Sequence, residues 1–207
     1  MTNDTNGASG YASSMVLMHW LMLILIAIVY ALMELKTIAA RGSDLRVNMA
    51  ALHYLCGLLV FALVWVRMAL RMFSRVPSID PTPPAWQEAG AKLLHAVLYA
   101  MMIGLPLLGW FALSAKGKPV HLFVFDLPFP IEPDDALARR LKELHESIAK
   151  AGYAAIGLHA AAALFHHYVK RDNTLTRILP SRWRRSVTRG SRRVPRSSAP
   201  SASPHHK

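Results

Sequence analysis

Four stretches of this chain are long and apolar enough to cross a lipid bilayer, and no other feature restricts its fold as strongly. They run from about Met15 to Leu35, Val47 to Phe73, Ala91 to Ala115 and Leu144 to Val169. Each exceeds the roughly 20 residues an α-helix needs to traverse the hydrocarbon core. With 53% hydrophobic residues and a mean hydropathy of +0.26, the chain is too apolar for an ordinary soluble domain. The expected class is an all-α membrane protein, a bundle of four transmembrane helices.

The remaining chain divides around that bundle. A polar segment, 1–14, carries no Lys or Arg and lacks the basic start of a secretory signal, so the first apolar run is expected to stay as a helix. The membrane domain occupies 15–179, and a basic tail, 180–207, is rich in Ser, Pro and Arg and is expected to be disordered. Pro106 is expected to kink the third helix, and the tracts Pro81-Thr82-Pro83-Pro84 and Pro128-Phe129-Pro130 mark extended loops. The Ala/Gly-rich stretch from Ala151 to Ala163 suits close approach, either of another helix or of a flat macrocycle.

A formal charge of +12 would suit nucleic acid if it were spread over the chain, but it is not. From Lys170 to Lys207 there are 11 Lys and Arg against one acid, Asp172, while the preceding chain is nearly neutral. A basic tail directly after an apolar helix reads as a cytoplasmic anchor, not as a nucleic-acid arm. Arg67, Arg71, Arg75 and Lys92 fall on the same side as the tail. The segment Glu34 to Asn48 has three bases, and Lys116 to Glu146 has five against six acids. The bias places both termini in the cytoplasm and loops one and three outside.

That topology sorts the histidines. His145 and His159 are 14 residues apart, four helical turns less about 40°, so both leave nearly one face of the fourth helix, roughly 21 Å apart along its axis. His53 lies at the outer start of helix two, level with His145. His19 lies near the cytoplasmic start of helix one, level with His159. Two depth-matched pairs are what two membrane-buried haems would need, since neutral imidazole is a good iron ligand and two axial ligands favour electron transfer over oxygen activation. The single cysteine, Cys56, sits in an apolar run without a Cys-x-x-Cys-His motif, so such haems would be b-type, held by coordination and packing.

Several charged groups stay open to two readings. His166 comes two turns after His159 on nearly the same face, so ligation could slip to it. Arg67 and Arg71 either snorkel to lipid headgroups or pair with haem propionates.

The segments Met18-His19-Trp20-Leu21, Asn48 to His53, Leu144-His145-Glu146, Gly157 to Leu164, His166-His167-Tyr168 and Asp172-Asn173-Thr174-Leu175 resemble the prokaryotic branch of the cytochrome b561 family. The resemblance covers about Met18 to Pro180. It implies a four-helix bundle enclosing two b haems, with His19, His53, His145 and His159 as axial ligands. It also implies a bacterial inner membrane, with oxidation of superoxide at the outer face and reduction of ubiquinone near the cytoplasmic face, where by position His166 is the first candidate to serve the quinone head group and His95 the second. Loop three sums to −1, so attraction of superoxide would have to be local, with Lys116 and Lys118 the nearest candidates. The long basic tail departs from the family pattern and leaves room for a protein partner. Two other readings stay open: a haem-b subunit passing electrons from a partner dehydrogenase to quinone, and a non-enzymatic membrane sensor or interaction protein.

Overall fold

Four helices account for most of the described residues. The structure, a computed structural model, describes residues 11–74, 78–118, 120–122, 125–127 and 131–179. Helix α1 spans Ser13–Ile38, α2 Asp44–Phe73, α3 Ala85–Ala115 and α4 Asp135–Phe165, and α4 continues as a π-helical turn over His166–Lys170. All four are long and apolar enough to cross a membrane. Their outward faces carry Leu17, Ile38, Phe73, Trp86 and Leu158 largely exposed, which lipid would cover. The basic tail, Arg75 and Pro128 to Pro130 lie outside the described residues.

The helices coincide with the four apolar stretches, but two of them start earlier than hydropathy indicates. Helix α3 begins at Ala85 and α4 at Asp135, nine residues before Leu144. The first turns of α4 are polar and belong outside the hydrocarbon. They are helical because Asp134 accepts hydrogen bonds from the Ala136 and Leu137 amides, with Asp135 complementing the positive end of the helix. Loop three is correspondingly shorter and contains a small antiparallel hairpin, β1 (Val120–Leu122) and β2 (Phe125–Leu127). Helix α3 runs unbroken through Pro106.

Helix α1 packs on α2 and α3 packs on α4, with α2 beside α3. The best-buried apolar cluster, Met22, Leu25, Val60 and Val64, lies between α1 and α2 and is backed by Tyr99 and Met102 of α3. Helices α1 and α4 are joined by polar contacts: Tyr30 Oη donates to the Ala149 carbonyl at 2.8 Å, and Tyr153 Oη to Glu34 at 2.6 Å. Gly152 makes the first of these possible, because a Cβ there would fall 2.2 Å from Tyr30 Oη. The close approach foreseen in the Ala/Gly stretch thus occurs at Gly152; Gly157 faces open space.

At the terminal end of the bundle, where the outermost described residues Tyr11 and Leu179 lie, residues 171–179 fold back as a clasp. Arg171 takes a left-handed conformation, φ 55°, and turns the chain. Asp172, buried, accepts from His166 Nδ1 at 2.5 Å and from the Thr174 amide at 2.9 Å. Asn173 and Asp80 exchange hydrogen bonds, which ties the clasp to the α2–α3 loop, and Trp20 Nε1 donates to the Ile178 carbonyl. Burial pushes the Asp172 carboxyl up, but the hydrogen bonds from His166 and Thr174 outweigh it and hold it below the ordinary aspartate value. A depressed carboxyl stabilises the folded state above its unfolded pKa, and that contribution is lost as pH falls through the folded one. Asp172→Ala is expected to lower the local stability of the clasp by about 1–3 kcal/mol. Hydrogen exchange over 171–179 checks this. The unmodified protein should lose the same protection only below pH 3.8, the unperturbed aspartate value; undiminished protection in the variant would refute the role.

Candidate functional site

Between the two helix pairs lies a cavity of about 1410 Å³. That is larger than the roughly 300–1,000 Å³ usual for one small-molecule site, and it runs the length of the bundle. At the terminal end it is lined by Tyr11, Arg177 and Ile178; at the other, the hairpin end, by Lys118 and Arg139. Its middle is apolar, with Met22, Val60, Tyr99 and Met102.

The histidines face one another across it in the pairs expected from depth. His53 and His145 have ring centroids 6.2 Å apart near the hairpin end, and His19 and His159 are 6.3 Å apart near the terminal end. Two imidazoles on opposite sides of one metal, with bonds of about 2.0–2.1 Å and about 1.1 Å from nitrogen to ring centre, have centroids roughly 6.3 Å apart. Both pairs therefore have the spacing of bis-imidazole ligation. Among the described residues no cluster of three or more His, Cys, Asp or Glu side chains converges as a bare-metal site.

Backbone carbonyls fix the hairpin-end pair. His53 Nδ1 lies 3.0 Å from the Val29 carbonyl and His145 Nδ1 3.0 Å from that of Leu105. A carbonyl can only accept, so each Nδ1 carries the proton and each Nε2 keeps its lone pair for a metal. Space is left beside them: Gly57, one turn after His53, lines the cavity with nothing within 4 Å of a would-be Cβ, and Gly109 lies against the His145 ring. A flat macrocycle fits such a lobe.

The terminal-end pair has a different setting. Arg67 Nη2 sits 3.2 Å from His19 Nδ1, and since a guanidinium only donates, this nitrogen accepts. Arg67 Nη1 is buried with no hydrogen-bond partner among the described residues. His95 lies against His159, centroids 5.3 Å apart, and lines the cavity together with Arg71. His166, which spacing alone favours over His95, is instead tied to Asp172 and is not part of the cavity wall. The chain beyond α4 accounts for the difference, because the left-handed turn at Arg171 brings Asp172 back onto His166.

At the hairpin end the sequence sum of −1 conceals a local excess of positive charge. Lys36, Lys118, Arg139 and Lys142 line the mouth of the cavity against Glu34 and Glu146. Lys116 also lines it but is paired with Asp135 at 2.5 Å, and Lys142 with Glu146 at 2.5 Å. Arg46 is occupied in capping α1, donating to the Lys36 and Ala39 carbonyls.

A family model described as prokaryotic cytochrome b561 matches residues 10–181. The chain is 38% identical over 172 residues to "Cytochrome b561 homolog 1" of Escherichia coli (strain K12), covering 83% of this chain and 98% of that protein. It is 34% identical over 172 residues to "Probable superoxide oxidase CybB" of Yersinia pestis, covering 83% and 97%. "Cytochrome b561 homolog 2" of Escherichia coli is 26% identical over 176 residues, covering 84% and 94%. Four apolar helices around a histidine-lined cavity, matched along nearly the whole length of these relatives, make this bacterial membrane protein a member of the prokaryotic cytochrome b561 family, whose work is electron transfer through b-type haem.

Proposed function

We propose that the chain binds two b haems and passes electrons from superoxide, at the hairpin end, to ubiquinone near the terminal end. The observation that carries the reading is the two facing imidazole pairs, at 6.2 and 6.3 Å. His53 with His145, and His19 with His159, would hold the two haem irons. Bound between them, the haems supply one-electron carriers at two depths. In balance, two superoxide anions give up one electron each to leave two molecules of oxygen, and one quinone takes both electrons with two protons to become the quinol.

The chain's own groups divide that work. Lys36, Lys118, Arg139 and Lys142 draw the anion to the mouth, a local field that the loop total hides. The Val29 and Leu105 carbonyls hold His53 and His145 in the ligating tautomer. Arg71 offers a partner for a propionate, whereas Arg67, the other candidate, stands beside His19. His95, in the cavity beside His159, is the group placed to hydrogen-bond a quinone carbonyl and pass it a proton, and His166 comes second because Asp172 engages it. The name of the Yersinia pestis relative supports superoxide as donor, and the cation-lined mouth suits it.

Quantitative haem extraction should give two haems per chain. His53→Ala and His145→Ala should each lose the hairpin-end haem, and His19→Ala and His159→Ala the other; one haem in the unmodified protein, or the same haem missing from H53A and H159A, defeats the assignment. A pulse of superoxide under anaerobic conditions should reduce the haem absorption bands, and added ubiquinone should reoxidise them. His95→Phe should retain both haems and their reduction while reoxidation by quinone slows; an unchanged rate would move the quinone site towards His166.

The orientation proposed is termini inside, hairpin outside, on 15 Lys and Arg in the inner segments against eight in the outer ones. A reporter joined after Pro180 should read cytoplasmic and one inserted near Pro133 external. Inverted labels would exchange donor and acceptor sides.

A further inference from the structure

We infer that Arg67 biases the internal electron step towards the terminal end, by making the His19–His159 centre the higher-potential of the two. The inference rests on the dihaem reading above and concerns the surroundings of the two ligand pairs, which differ in kind. At the hairpin end both Nδ1–H groups point at backbone carbonyls, 3.0 Å away in each case. Donating that proton makes an imidazole a stronger electron donor to its metal, which favours the oxidised state. At the terminal end His19 Nδ1 faces no carbonyl but the guanidinium of Arg67, at 3.2 Å.

A guanidinium stays charged at every accessible pH and accepts no hydrogen bond, so it cannot strengthen His19 as a donor. When Nε2 of His19 binds a metal, Nδ1 holds the proton, and Arg67 must turn its donors elsewhere in the cavity while remaining beside the ligand. No carboxylate among the described residues pairs with Arg67, and its Nη1 is buried with no partner. A positive charge in a medium of low dielectric stabilises an added electron close by far more than it would in water. The cations of the hairpin end act differently: they stand at the mouth, and Lys142 is largely exposed and paired with Glu146. Ligand basicity and charge therefore push the two centres apart in the same sense, lower where superoxide delivers electrons and higher where quinone collects them. Arg67 touches the ligand and not the reacting atoms, and is a positioning residue.

The test is a potentiometric titration of the purified, haem-loaded protein, followed at the haem bands, with electron paramagnetic resonance to read the ligand field of each centre. The unmodified protein should titrate in two waves. Arg67→Gln should lower the upper wave and leave the lower one in place, narrowing the gap, with the altered resonance belonging to the haem that His159→Ala removes. Arg67→Lys, which keeps the charge, should restore most of the spacing. Where Arg67→Gln fails to load both haems, Arg67→Met, which keeps the length of the stem, is measured against Arg67→Lys in its place. The inference is overturned if neither wave moves, if both move equally, if the lower wave alone moves, or if the lysine variant behaves like the neutral ones. An unmodified protein holding fewer than two haems would overturn the dihaem reading instead, before Arg67 is considered.

Discussion

This bundle is organised around a space that its own side chains leave open. Helices α1 and α2 form one packed pair and α3 and α4 another, and between the pairs lies a cavity of about 1410 Å³. Two polar links cross from α1 to α4, through Tyr30 and Tyr153, and they sit to one side of the opening. A cavity of that size in a close-packed bundle forgoes a great deal of dispersion attraction, because its lining atoms have no neighbours on one side. Whatever ligand fills it binds the folded chain and not the unfolded one, and so stabilises the fold by mass action. Cofactor retention and bundle stability are therefore one property of this protein.

The features legible in the sequence are those that depend on depth. Hydropathy runs give the spans, helical rise gives the level of each histidine, and alternation of direction then allows one pairing of His19, His53, His145 and His159. The structure has those same pairs facing each other. Rotation and lateral placement are less legible. Counting 3.6 residues per turn puts His166 on the face of His159, whereas the chain reversal at Arg171 sets Asp172 against it. Charge totals mislead for a related reason: the loop's acids and bases cancel in sequence, yet the cations line the cavity mouth while Asp135 and Glu146 are held by lysines. The carbonyls of Val29 and Leu105 leave no mark in the sequence at all, since every residue has one.

The terminal end has more polar architecture than a membrane bundle needs. The clasp of residues 171–179 joins α1, the α2–α3 loop and the end of α4 through Trp20, Asp80 and His166. Tyr11, Arg177 and Ile178 also line the cavity, so the clasp forms part of the wall beyond His19 and His159. Backbone outside a helix needs partners for its polar groups, and the paired hydrogen bonds between Asn173 and Asp80 supply them here. Any head group that reaches His95 from this end must pass alongside that clasp.

The early start of α4 separates two electrical environments. A 31-residue helix is about 46 Å long, well beyond the roughly 30 Å of hydrocarbon. Its first three turns, which include Arg139 and Lys142, thus stand in water while His145 stays below them. Fields from charges in water decay over a Debye length, about 8 Å at physiological ionic strength, whereas those inside the bundle are hardly screened. Added salt should therefore slow the arrival of a diffusing anion at the mouth without disturbing the potentials of the centres beneath it. In this protein encounter and transfer answer to different solution variables because one helix is longer than the membrane is thick.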